Sequence, residues 1–440
     1  MHQRDLMDIR DRVLACIVRD QYAGADPFDG LESPLFKASG LGRFRLARLC
    51  WLQAIKRGPQ ALRSIAKIPS SLNPKTLALL NGAAGGVVLG DFRDQILTLQ
   101  NPDGGWGYPF EWQARAFHGK RSQSNAIVTS FVVDALSVGG MGRDHPALTR
   151  AADFIEHRLW RDGYFAYFDH DSSEIHNASL WAAFALNCVQ PAHPKSELAV
   201  RRVIAAQHED GSWAYGTRHH HGFIDGFHTG YILDLLDRFR MAGMPGLDDV
   251  IARGWEFYRG HCFDGQGIPR SFAGKSCYLD AHAVAQSLAS LWRFGDVDGA
   301  VHVANWACAS LFDPSRDLFF AGIGRLGKDR QNYMRWTQAW MVWGFSIVIE
   351  KMAMTEASKT MLDPKAPLVF SHPDPDRATK EEALRALDDD TFRDLYAITR
   401  AAATQAKASG EMETLYGLTR GMKTLQRMAG DRGIRIAVAS

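Results

Sequence analysis

Five short stretches place polar or ionisable residues where an apolar run begins. They carry Asn125, then His176 and Asn177, then Asp225 and His228, then Asp280 and His282, and last Arg335, Trp336 and Gln338. A carboxylate beside an imidazole can orient the ring and fix which nitrogen holds the proton, the usual preparation for general acid/base work. Asp225 and His228 are three residues apart, which brings both to one helical face. Glu111, in Trp-Gly-Tyr-Pro-Phe-Glu-Trp-Gln, is a further candidate acid. Three chemistries fit these residues. Sugar chemistry would use Trp106, Tyr108, Trp112, Trp213, Tyr215 and Trp336 as stacking faces and Glu111, Asp225 or Asp280 as acid and base, with hydrolysis needing two carboxylates about 5–9.5 Å apart. Lyase or epimerase chemistry would use Asn125, Asn177 or Arg335 to neutralise a carboxylate and His176, His228, Tyr231 or Tyr278 to move the proton. An aromatic bore would equally hold a prenyl chain or a carbocation. The third chemistry is zinc, with His228, Asp280 and His282 as ligands; no metal is the favoured reading and zinc its alternative.

Each residue also has a plainer reading. Asn125, Asn177 and Asp225 suit helix N-caps, and a histidine on an apolar helix is commonly a satisfied core residue. The run His219–His221, flanked by glycine, reads as a solvated or ligand-rim strip. Recurrence argues for a site, because the polar positions Asn125, Asn177, His228, His282 and Gln338 recur 52, 51, 54 and 56 residues apart. That period is the length of a helical hairpin repeat.

The elements that position these groups follow from the same period. Gln100-x3-Gly104-x-Trp106 and Gln207-x3-Gly211-x-Trp213 are two copies of one pattern, read as joints between an outer helix and the next loop. After each Gly/aromatic loop comes a helix apolar round most of its circumference, as with Val128, Phe131, Val132, Ala135 and Leu136. Between them lie amphipathic helices with one apolar stripe, such as 148–159, 196–207, 247–258 and 299–312. Helices apolar all round are buried and one-striped helices cover them. An all-α fold follows, an α/α toroid of about six hairpins over residues 1–350. The loops entering the inner helices open on one face, so the polar residues converge on a funnel. Residues 351–376, rich in proline at 363–376, read as a linker, and 377–440 as a C-terminal helical hairpin of about 379–408 and 411–429.

Composition narrows the function classes. A net charge of +2 with 23% charged residues gives no basic face for nucleic acid. The cysteines form no CxxC pair, which fits free thiols in a reducing compartment. The first twenty residues carry charge throughout and lack the apolar core of a secretory signal. No uncharged apolar run reaches the roughly 20 residues of a membrane span. A cytoplasmic protein is expected.

The Gln-x3-Gly-x-Trp loops resemble the repeat motif of the squalene-cyclase and prenyltransferase superfamily, whose fold is an α/α toroid. Asp225–Leu236 and Leu279–Leu288 are similar in layout to zinc-binding helices of protein prenyltransferase β subunits, with His282 where that family has cysteine. The Asp-x-Asp-Asp acid of class II terpene cyclases has no counterpart, since Leu387-Asp388-Asp389-Asp390 misses its first aspartate. A wider resemblance covers most of 20–350. It rests on Tyr22–Ser33, Trp51–Leu80, the Trp-Gly-Tyr-Pro-Phe-Glu-Trp-Gln segment, Ser124–Val132, Phe223–Leu233 and Arg330–Met341, and is to a family found in bacterial exopolysaccharide and capsule gene clusters. Glu111 stands where that family's motif has aspartate. This resemblance implies a role in making or modifying a surface polysaccharide, with a saccharide as substrate and other polysaccharide-biosynthesis proteins as partners; the expected lack of a secretory signal favours a lipid- or nucleotide-linked saccharide. The alternatives are an isoprenoid enzyme and a non-catalytic sugar-binding scaffold.

Overall fold

The structure is a computed structural model that describes residues 3–114, 117–275 and 277–436, without the side chains of 354–361. It divides into two compact units, Met1–Val348 and Ile349–Ser440.

The first unit is built on a ring of apolar helices. They are Pro74–Leu80, Ala126–Val138, His176–Val189, Gly226–Met241, Ala281–Arg293 and the π-helical turn Met334–Ala339, which continues as the helix from Trp340. Each packs on the next, and Met334–Ala339 packs back on Pro74–Leu80. The ring is therefore closed, and the fold is an α/α toroid. Every residue from Ala126 to Leu136 and from His176 to Leu186 is buried, as helices apolar on all sides must be. Outside them lie Pro146–Asp153, Pro194–Ala205, Asp248–His261 and Val297–Ser310. The N-terminal helix Gln3–Arg19 packs on both Val297–Ser310 and Met334–Ala339, so the start of the chain supplies the outer partner of the last inner helix.

Four inner helices begin on an Asn or Asp cap. Asn73, Asn125, Asp225 and Asp280 accept from the backbone N–H groups of Lys75, Val128, His228 and His282, satisfying donors that a helix start leaves open. Asn177 is no cap: it is the second residue of its helix, which starts without a side-chain cap.

The two Gln/Gly/Trp loops are joints of identical construction. Gln100 Nε2 donates to the carbonyls of Gly104 and Ala147, each at 2.8 Å. Gln207 Nε2 donates to those of Gly211 and Val250 at 3.0 and 2.9 Å. Trp106 and Trp213 each send the indole N–H to a carbonyl of the preceding helix, Ile96 or Val203, at 2.9 Å. Gly104 and Gly211 adopt φ of +92° and +87°, and a Cβ on either would stand 2.3 Å from the carbonyl oxygen of Arg150 or Arg253. Only glycine meets both conditions.

Toward the C-terminal ends of the inner helices lies a cluster of ion pairs. Arg238 makes two bonds to Asp134, at 2.9 and 2.6 Å, and Asp134 also accepts from the N–H of Ala84 at 2.7 Å. Arg293 pairs with Asp234 and, at 3.1 Å, with Asp237.

The second unit has its own core, including Leu368, Phe370, Leu384, Phe392, Leu395 and Leu425. Two expectations change here. Residues 351–376 are not a linker, because helix runs to Met361 and because Leu368 and Phe370 are buried in this core. The expected hairpin is three helices, Arg377–Ala386, Asp389–Ser409 and Met412–Arg432, since Asp388 caps a new helix by accepting from the N–H groups of Asp390 and Thr391.

Candidate active site

At the N-terminal ends of the inner helices the bore opens into a cavity of about 370 Å³. Its walls are mostly aromatic, with Phe28, Tyr108, Trp112, Tyr215, Phe227 and Trp336 among them. The polar groups on the same wall are Lys75, Asn177, Asp225, His228, His282 and Arg335, joined by the histidines 220 and 221. A largely apolar pocket with a few convergent polar groups is the usual form of a small-molecule site.

Asp225 does two things at once. Oδ1 caps its helix by accepting the His228 N–H at 2.8 Å, and Oδ2 lies 2.6 Å from His228 Nδ1. A carboxylate at Nδ1 keeps the imidazole proton there and leaves Nε2 as the acceptor. No protein group bonds to Nε2 among the described residues, and the half-buried ring borders the cavity.

A second couple is fully buried. The Tyr231 hydroxyl and His282 Nε2 are 2.8 Å apart. Burial pushes the Tyr231 phenol well above its ordinary range. Burial, followed by the charges of Lys75 and Arg335, holds His282 well below its own. Both therefore stay neutral, with the phenol donating to the imidazole. Arg335 forms a bidentate pair with Asp26, at 2.6 and 2.9 Å, and lies over the rings of Tyr108 and Trp336.

The remaining expected site residues divide by position. Tyr108, Trp112, Asn177, Tyr215, Tyr231 and Trp336 line the cavity, and the buried Asn177 Nδ2 has no partner among the described residues. Trp106 and Trp213 do not line it, since the joints bury them. Asn125 is wholly buried as a cap, and Gln338 bonds both backbone groups of Phe319. Glu111 pairs with His118 at 2.7 Å away from the cavity wall, and Tyr278 donates to Asp329 at 3.0 Å. His176 is buried off the wall, where burial depresses its basicity. Asp280 lies behind the wall with both oxygens 2.9 Å from the Trp336 indole nitrogen, so it positions that ring. The three residues of the zinc alternative make other bonds, His228 Nδ1 with Asp225, His282 Nε2 with Tyr231 and Asp280 with Trp336. Among the described residues no three His, Cys, Asp or Glu side chains are grouped to hold a metal ion. Two carboxylates facing each other across the cavity are likewise missing, since Asp225 is the acidic group on its described wall.

Lys75 and Asp26 did not emerge from the repeat pattern. The signal for Lys75 is Asn73-Pro74, a cap followed by proline at the first helical position, which marks the sixth inner helix start.

No family model matches the chain, and no curated protein matches its sequence. Solved structures similar to it include the cellobiose 2-epimerase of Spirochaeta thermophila DSM 6192, at 13% identity over 64% of this chain and 87% of that one, with a TM-score of 0.45. The type II terpene cyclase MstE from Scytonema is similar at 13% identity over 80% and 99% of the two chains, with a TM-score of 0.49. A D-mannose isomerase is similar at 10% identity over 64% and 88%, with a TM-score of 0.46. Likeness at this level assigns neither substrate nor reaction. Among the described residues, no helix is long and apolar enough to cross a membrane.

Proposed function

We propose that the toroid is an enzyme that transfers protons on a saccharide held in the aromatic cavity, with His228 as the proton-moving group and Asp225 as its orienting partner. One observation carries this reading: an imidazole fixed at 2.6 Å by a buried carboxylate presents its other nitrogen to an aromatic cavity. The aromatic faces suit the apolar sides of a sugar ring, and Asn177 supplies an unused donor. Epimerase or lyase chemistry fits better than hydrolysis, which needs a second carboxylate across the site. The setting in cytoplasmic exopolysaccharide synthesis, with a lipid- or nucleotide-linked sugar as substrate, is drawn from the sequence resemblance and belongs to the same proposal.

A second reading, an isoprenoid enzyme, is favoured by the aromatic lining. It is opposed by Arg335 on the same wall, since a carbocation gains from ring faces but loses beside fixed positive charge.

The test is deuterium exchange. A panel of reducing mono- and oligosaccharides and uronates is incubated with the protein in D2O and followed by NMR. Exchange at a ring carbon is expected, slowed about 100-fold or more in His228→Asn. Exchange that survives His228→Asn would remove the assignment. An inert panel, with prenyl diphosphates consumed instead, would hand the site to the second reading.

A further inference from the structure

Lys75 is a charged-type side chain on the cavity wall that the acid/base reading leaves unused. It is the second residue of the inner helix Pro74–Leu80, and only 3% of it is exposed. Its Nζ sits 3.7 Å from the ring centre of Phe131, 5.3 Å from that of Trp340 and 5.6 Å from that of Tyr231. No carboxylate pairs with it among the described residues. The nearby anion, Asp26, is taken by both arms of Arg335.

An ammonium with no counter-ion in an apolar surrounding is costly, and a lysine there escapes the cost by shedding its proton. Burial, and then the charge of Arg335, hold Lys75 well below the usual lysine range, in keeping with that argument. A neutral amine is a nucleophile. Beside it stands the Tyr231–His282 couple, a phenol hydrogen-bonded to a neutral imidazole.

We propose that Lys75 is a nucleophilic amine that condenses with the carbonyl carbon of an aldehyde or ketone in the cavity, such as the open-chain form of a reducing sugar. The Nζ lone pair forms a bond to the carbonyl carbon, and the carbonyl oxygen takes a proton. The C–O bond then breaks, the oxygen leaves as water carrying the two hydrogens the amine gives up, and a C=N bond remains. No oxidant or reductant takes part. The site is the cavity of the proposed function, but the step does not depend on the role given to His228.

Reductive trapping tests it. The full chain is treated at neutral pH with a limiting amount of glycolaldehyde and cyanoborohydride, and labelled lysines are mapped by mass spectrometry. Lys75 should carry the reduced adduct at least about tenfold beyond the exposed Lys67 and Lys407. Lys75→Met, whose folding is checked by its melt, should lose that adduct and keep the surface background. Labelling of Lys75 no greater than that of Lys67 would overturn the proposal. A failure of labelling counts against Lys75 alone, and a failure of deuterium exchange counts against the acid/base reading alone.

Discussion

The two ends of the bore are both lined with charge, yet they are balanced differently. At the C-terminal ends of the inner helices, Arg238 and Arg293 meet Asp134, Asp234 and Asp237, and each of these charges has an opposite partner within the cluster. At the N-terminal ends, Asp26 matches Arg335, but among the described residues Lys75 has no paired carboxylate, Asn177 Nδ2 has no acceptor and His228 Nε2 has no protein partner. A closed ledger of partners is how a protein buries charge for structure. A residue of unmet groups in a cavity is how it prepares for a ligand.

Breaking the comparison at its closed end should give the largest effect. Arg238→Met strands Asp134 and is expected to lower stability by about 3–5 kcal/mol, read as a fall in the melting temperature, while the surviving folded protein exchanges deuterium at the parent rate. At the open end, Asp225→Asn keeps a capping oxygen but loses the carboxylate behind His228. The exchange rate should fall about 100- to 10,000-fold with the melt shifted only slightly; an unaltered rate would show that the pair is structural. Asn125→Ala removes the cap and a long bond, 3.4 Å, from Nδ2 to the Gln123 carbonyl, so it should lower stability by about 1 kcal/mol and leave exchange within a few-fold.

The smallest effect concerns pH. His221, on the cavity wall, has its pKa lowered from 6.5 to about 4 by burial and then by His220. Its folded-state pKa lies below the unfolded value, so the unfolded chain binds the extra proton between those limits. Stability should therefore fall as pH drops from about 6.5 towards 4. In His221→Phe the slope of stability against pH across that window should be shallower, as measured by urea denaturation. An equal slope would place the titrating group elsewhere.

Much of this architecture is legible in the sequence because it depends on local rules. The repeat joints carry glycines that their positive φ demands, and the all-apolar helices declare their burial. Asp225 and His228 are legible for the same reason, being neighbours on one turn. What the sequence hides is pairing across the ring. Trp106 and Trp213 look like sugar platforms until the carbonyls of Ile96 and Val203 take their N–H groups. Lys75 and Asp26 escape notice because their neighbours in space, Tyr231 and Arg335, come from other repeats. The run 219–221 shows the limit from the other side. Its letters suit a solvated or a ligand-rim strip alike; histidines 220 and 221 border the cavity and His219 does not, but the backbone turn that buries His221 is not visible in three identical letters.

The seam of the ring has a consequence for how this chain assembles. Ala25 bridges Tyr333, and Asp26 and Arg335 lie 309 positions apart. Joining chain ends at that separation carries a length-dependent entropy of about 5 kcal/mol, so neighbouring hairpins can dock long before the circle shuts. Lys75 and Arg335 sit on the first and last inner helices, so the cavity wall is complete only when the ring is closed. A ligand seated there touches both sides of the junction and acts as a clasp, so its off-rate and the opening of the ring should be linked.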